Sequence, residues 1–276
     1  MRILAVCGLV LVIAMPAVAQ TPTLKISLGV RESVTTTPIG SVNNPIPVTA
    51  PGGGIEYFNR DAQTLPLDNT WKKFTFDVSA TGIDPLGGLT GNGLINSNTG
   101  ALDCLRIVRP AGAGATAVQV WVDRMEITYK LNDFDETVIS KTITTLDGAN
   151  NGGVPYAAGT EVLFQEPGYS GSTAAMIQAL PVSVSAIDTT TGQDDSYSEM
   201  ARWKWLYTHA VYKDSPWLRF TSYGSTLKER HPTLAIAGGP GNLYLSSSVS
   251  VWMKGVPEPA SLSLLALGGL ALLRRR

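Results

Sequence analysis

Apolar and polar residues alternate with a period of two through several short stretches of this chain. That is the pattern of strands with one face against a core. Leu24, Ile26, Leu28 and Val30 fall on one face of the first such stretch. Phe74, Phe76 and Val78 share a face of another. Between residues 118 and 122, Val118, Val120 and Val122 point one way and Gln119 and Trp121 the other. Turn formers separate these stretches: Pro51-Gly52-Gly53-Gly54, the run from Asp84-Pro85 to Gly88, Gly91-Asn92-Gly93, and Gly238-Gly239-Pro240-Gly241. Short helical turns are expected only near residues 172–179 and 196–201, the second opened by Asp195 or Ser196 as N-cap. Many short strands with frequent turns predict an all-β fold of sandwich or barrel type.

Composition agrees with that reading. Glycine (28) and proline (17) are frequent among 276 residues, and only 16% of the residues are charged. The net charge of −1 hides a more acidic body, because Arg2 and the three terminal arginines lie at the ends. Without them 17 basic residues face 22 acidic ones, a net charge near −5. No basic stripe is present to neutralise phosphates, which argues against nucleic acid as a partner. The cysteines are Cys7 and Cys104. Removal of the segment containing Cys7 would leave Cys104 alone, with no intramolecular disulfide, and Cys104 reads as a small buried apolar residue of a strand.

The two ends are distinctive. Met1-Arg2, the apolar run Ile3 to Met15, and the small-x-small pattern Ala17-Val18-Ala19 before Gln20 predict a secretory signal peptide over residues 1–19. At the other end Val256-Pro257-Glu258-Pro259 precedes the 14 apolar residues Ala260 to Leu273, and Arg274, Arg275 and Arg276 close the sequence. The apolar segment would partition into a bilayer with the arginines on its cytoplasmic side. It is short against the roughly 20 residues of a permanent span. In motif, order of parts and position this tail, 256–276, resembles the PEP-CTERM sorting signal. The resemblance implies an exosortase-type processing enzyme as partner, transient anchoring in the inner membrane, and delivery to the cell surface or extracellular matrix.

Within the body, Trp71-Lys72-Lys73-Phe74-Thr75-Phe76 is echoed by Trp217-Leu218-Arg219-Phe220-Thr221-Ser222, 146 residues later. Cys104 to Val108 parallels Thr233 to Ala237, and Val120 to Thr128 parallels Leu243 to Val251. Divergent tandem copies of one fold are the simplest reading. They predict a first β-sandwich over 20–130 and a second over 131–255. The order of strands resembles the galactose-binding-like jelly-roll family, which includes many carbohydrate-binding modules. The residues carrying this are the Trp71 strand and the alternating strand ending at Ile127, with Trp217 to Thr221 and Leu243 to Val251 in the second copy. The resemblance implies a structural Ca2+ at Asp123 in the first copy, and candidate ligands Asp133 and Asp135 at the start of the second. Those two aspartates equally suit turn and linker positions.

A sugar-binding face would present flat aromatic rings beside polar groups. Trp203, Trp205 and Tyr207 lie on one face of a strand, and Tyr57 holds a comparable place in the first half. They form a platform if that face is open and core residues if it is not. Only two histidines are present, His209 and His231, and no His-Glu-x-x-His or Gly-x-Ser-x-Gly motif occurs. The sequence therefore reads as a non-catalytic, surface-sorted protein engaging exopolysaccharide or another matrix glycan. A purely structural surface protein is the rival reading, and a polysaccharide-degrading enzyme the third.

Overall fold

The computed structural model of the protein describes residues 21–33, 55–79, 81–85, 91–94, 99–114, 117–130, 137–147, 184–205, 217–221 and 248–257. Among them the fold is all-β, with no helix. The strands are β1 (Thr23–Ser33), β2 (Ile55–Pro66), β3 (Lys72–Asp77), β4 (Thr99–Val108), β5 (Ala117–Lys130), β6 (Val138–Thr144), β7 (Val184–Asp188), β8 (Ser198–Lys204), β9 (Trp217–Thr221) and β10 (Ser248–Pro257). They form two antiparallel sheets. The smaller has the order β2-β1-β4-β9, and the larger the order β3-β10-β5-β8-β7 with β6 also paired to β5.

The alternation in the sequence becomes the core. Leu24, Ile26, Leu28 and Val30 of β1, and Leu105 and Ile107 of β4, face Phe74, Phe76, Val118, Val120, Val122, Val249, Val251 and Met253 of the larger sheet in one apolar cluster. Burial of this kind contributes about 25 cal/mol per Å² of apolar surface. In β5 the inward set changes phase. It runs Val118, Val120, Val122 and then Met125, Ile127, Tyr129. Arg124 is the extra residue of a β-bulge: Val251 pairs with Met125 but Trp252 pairs with Asp123.

The predicted division near residue 130 is not followed by the strand pairing. β9 hydrogen-bonds to β4, β8 to β5, and β10 lies between β3 and β5. Both sheets are thus built from both halves of the sequence. The tandem reading failed because β3 and β9, which both carry Phe-Thr three residues after a Trp, share only the pattern any half-buried strand shows. They lie in different sheets. The helical turn expected at 196–201 is also corrected: β8 starts at Ser198, and Asp195 accepts the N–H of Tyr197 at 2.6 Å in an Asx turn leading into it. The expected signal helix, the C-terminal hydrophobic helix and the helical turn at 172–179 lie outside the described residues.

Candidate functional site

The aromatic residues singled out from the sequence are placed in the interior. Trp203 of β8 and Trp205 just beyond its end are 0% and 1% exposed. Their rings meet edge to face, with centroids 5.5 Å apart and planes at 87°. Their indole N–H groups have no acceptor among the described residues. Tyr57, 4% exposed, lies on the other face of the smaller sheet with Ile55 and Cys104. A Cβ on Gly29 would come within 2.5 Å of the Cys104 sulfur and 3.2 Å of the Tyr57 ring, so glycine lets these two side chains sit side by side. Burial holds the Tyr57 hydroxyl well above the usual phenol range. Cys104 is fully buried, as expected of a small apolar strand residue. Tyr207 lies outside the described residues. Trp203, Trp205 and Tyr57 are therefore core, not an open platform. Spacing by two fixed the shared face of the tryptophans but could not say which way it points.

Other tryptophans do occupy the outer face of the larger sheet. Trp121 and Lys254 are opposite one another on β5 and β10, and Trp252 is opposite Asp123. The Lys254 ammonium sits 4.5 Å from the centroid of Trp121 and 5.2 Å from that of Trp71, between the two rings. Burial lowers its pKa. The Trp121 indole donates to Asp188 Oδ2 at 2.7 Å. Trp71 and Trp252 are half-buried. The sequence signal for this face was available: Trp121 alternates with Val120 and Val122, and Trp252 with Val251 and Met253. What was missing was the pairing of β5 with β10.

An acidic junction lies beside this face. The first half of β5 pairs with β8 and the second with β6, and the bulge at Asp123-Arg124 marks the change of partner. Two loops converge there. Gln193 N–H donates to Asp123 Oδ2 at 2.6 Å, and Arg124 pairs with Asp194 at 2.6 Å and Glu126 at 3.0 Å. Arg124 and Leu146 both have positive φ, 38° and 61°, a backbone region that L-residues adopt rarely. Burial, reinforced by Asp194, Asp147 and Asp195, pushes the Asp123 carboxyl up to about 7. Burial pushes Asp147 up to about 6. Of the Ca2+ ligands expected from the sequence, Asp133 and Asp135 lie outside the described residues. Among the described residues no group of three or more His, Cys, Asp or Glu side chains is placed to hold a metal ion.

The end of the sandwich that leads to the tail has its own geometry. After Lys72 the β3 side of β10 runs out of partners. The β2–β3 turn takes over: Asn69 N–H donates to Gly255 O at 3.0 Å, and two residues earlier Leu67 N–H donates to Pro22 O at 2.9 Å. One turn thus holds both the first described residues and the last. Asn69 adopts φ 64°, which asparagine tolerates better than most residues. On its other side β10 continues along β5, with Gly255 opposite Val120, Val256 opposite Gln119 and Pro257 opposite Val118.

This is also where the protein is similar to known ones. Residues 255–276 match the PEP-CTERM protein-sorting motif. The match begins at Gly255, inside β10, and includes all of Val256, Pro257, Glu258 and Pro259 and the arginines Arg274, Arg275 and Arg276. The motif implies an exported protein, transiently anchored in the membrane and processed by an exosortase. No curated protein and no solved structure matches the sequence. Among the described residues no helix is long and apolar enough to cross a membrane.

Proposed function

We propose that this is a non-catalytic surface protein: a β-sandwich delivered by exosortase-type processing to the cell surface or extracellular matrix, where it serves as a structural or display element. The observation that carries the reading is the continuity of the sorting motif with β10. The segment that directs sorting is joined to the core of the body without a spacer. Burial of Trp203, Trp205 and Tyr57 favours the structural role over sugar binding at those residues. The absence of familiar catalytic motifs from the sequence supports the non-catalytic reading. The jelly-roll connectivity of the sequence resemblance belongs to this proposal and not to the observed topology.

The test is fractionation of cells expressing the full-length protein with Glu258→Ala and Pro259→Ala. Unprocessed precursor should accumulate in the membrane, and normal surface delivery would contradict the reading. Release of products from any polysaccharide by the purified body would contradict its non-catalytic part.

One observation favours contact with a matrix glycan as a second reading. The half-buried Trp71 and Trp252 share the outer face of the larger sheet with Lys73, which pairs with Trp252 across the strands and is exposed. Rings beside a cation suit an acidic polysaccharide. Loss of polysaccharide pull-down in Trp252→Ala, with the fold intact, would support this reading. Equal retention by Trp252→Ala and the parent protein would remove it.

A further inference from the structure

We propose that the end of the sandwich carrying Pro257 is a docking surface for anionic lipid headgroups, on which the body stands while the sorting tail is in the membrane. This inference rests on the sorting reading above and names the partner of that stage.

Reach sets the first constraint. Pro257 pairs with Val118 at the start of β5, so it lies at one end of the sandwich. The apolar run of the tail begins at Ala260. Three residues of chain span at most about 10 Å. With that run in a bilayer, this end of the body is therefore kept close to the headgroups. Pro22 is at the same end: its carbonyl accepts the Leu67 N–H, two residues from the Asn69 bond to Gly255. The apolar segment expected to direct secretion joins the body here too.

Charge gives the end its partner. Among the described residues, the last rungs and turns of this end carry Lys25, opposite Thr64 and Val108, Lys72, Arg202, opposite Gln119, and Lys204, opposite Ala117. Lys204 is exposed and the other three are half-buried. One described carboxylate stands with them, Asp68, at 3.7 Å from Lys72. Asp77, Asp123 and Asp194 lie at or beyond the bulge in β5, toward the other end. The body is acidic as a whole, so these cations are gathered at one end. The turn beside them suits close approach. Arg109 is buried and folds back to Gly114 O at 3.2 Å, and Ala111 and Gly112 are exposed at the tip.

Exposed charges act over about 8 Å at physiological salt. Basic groups near an anionic bilayer are attracted to it, while the acidic remainder is repelled. Together with the short tether they hold the body with its basic end down. The tether also keeps the cations at high effective concentration near the headgroups. A few cations on an acidic body do not hold it there alone, so docking ends when the tail is removed.

The experiment uses the full-length protein with Cys7→Ser, reconstituted into vesicles of phosphatidylcholine with phosphatidylglycerol, or of phosphatidylcholine alone. A fluorophore is attached to Ala111→Cys or, at the far end, to Thr81→Cys; both positions are exposed and Cys104 is buried. A quencher on the lipid headgroup should quench the probe at 111 several-fold more than the probe at 81 in the anionic vesicles. Quenching at 111 should drop several-fold in phosphatidylcholine alone and in the Lys25→Glu, Lys204→Glu double variant, whose unchanged urea midpoint shows that it is folded. Equal quenching at the two positions, or more at 81, overturns the orientation. Quenching at 111 that ignores both lipid charge and charge reversal overturns recognition of anionic headgroups and leaves the tether alone. A protein that does not stay with either vesicle overturns the sorting reading and this inference with it.

Discussion

Asn69 donates its backbone N–H to the carbonyl of Gly255 at 3.0 Å, and it does so from a left-handed conformation with φ 64°. The bond replaces the β3 partner that β10 lacks beyond Lys72. A β-branched residue at 69 would be strained by about 1–2 kcal/mol, whereas glycine fits this conformation freely. Asn69→Val is therefore expected to lower the urea midpoint of the body, and Asn69→Gly to leave it nearly unchanged. Equal effects of the two would remove the left-handed turn from the account.

Gly255 is the second element of that contact. Its missing side chain leaves room for Leu67, whose Cδ2 would lie 2.5 Å from an added Cβ, with Leu65 next nearest at 3.4 Å. Gly255→Ala is expected to destabilise the body by about 1–3 kcal/mol through overpacking. The cost should shrink in a Leu67→Ala background, because neighbouring sites couple. Additive losses in the double-mutant cycle would place the two residues out of contact.

Trp203 and Trp205 should behave as core residues. Each Trp→Ala is expected to cost about 3–5 kcal/mol of stability. Trp203→Phe should cost much less, since it keeps an aromatic body and removes an N–H that has no acceptor among the described residues. Thermal unfolding of the three variants measures this. If either alanine variant kept the parent stability while losing glycan binding, the placement of these rings would be wrong.

The acidic junction gives a pH dependence of definite sign. Burial lifts Asp123 from 3.8 to about 7 and Asp147 from 3.8 to about 6. In the unfolded protein these carboxyls ionise near pH 4, while the folded protein keeps their protons. Stability from this source is therefore present at acid pH, declines as pH rises from about 4 to 7, and is flat above. Each tenfold change in proton affinity is worth about 1.4 kcal/mol. The change from this source is on the order of a few kcal/mol. Urea unfolding at pH 5 and pH 8 should show the protein less stable at pH 8. Asp123→Asn should flatten the difference, since an amide oxygen can still accept the Gln193 N–H. Stability rising from pH 5 to pH 8 would contradict this view of the junction.

Much of the core could be read from the sequence, because period-two alternation is a direct record of which side chains share a face. Leu24 to Val30, Phe74 to Val78 and Val118 to Val122 all present the expected residues inward. The phase change at Arg124 does leave a trace, since Val118, Val120 and Val122 give way to Met125, Ile127 and Tyr129, but a shift of phase alone does not separate a bulge within one strand from a break between two. Partner choice was not legible. Trp71-x-x-Phe74 and Trp217-x-x-Phe220 look like copies, yet one strand lies beside β10 and the other beside β4. Long-range pairing depends on the whole set of strands, so similar local patterns can serve different sheets. Face direction was equally out of reach for Trp203 and Trp205. The sorting motif was legible because its parts are contiguous, but its merger with a central strand was not.

One sandwich is built from both halves of the sequence and completed by the strand that runs into the sorting motif. Two truncated proteins, spanning residues 20–257 and 20–247, put this to the test in urea denaturation followed by tryptophan fluorescence. The longer should unfold in one cooperative transition, and the shorter, lacking β10 between β3 and β5, should show none. A shorter protein with the same cooperative transition at the same urea concentration would contradict this architecture.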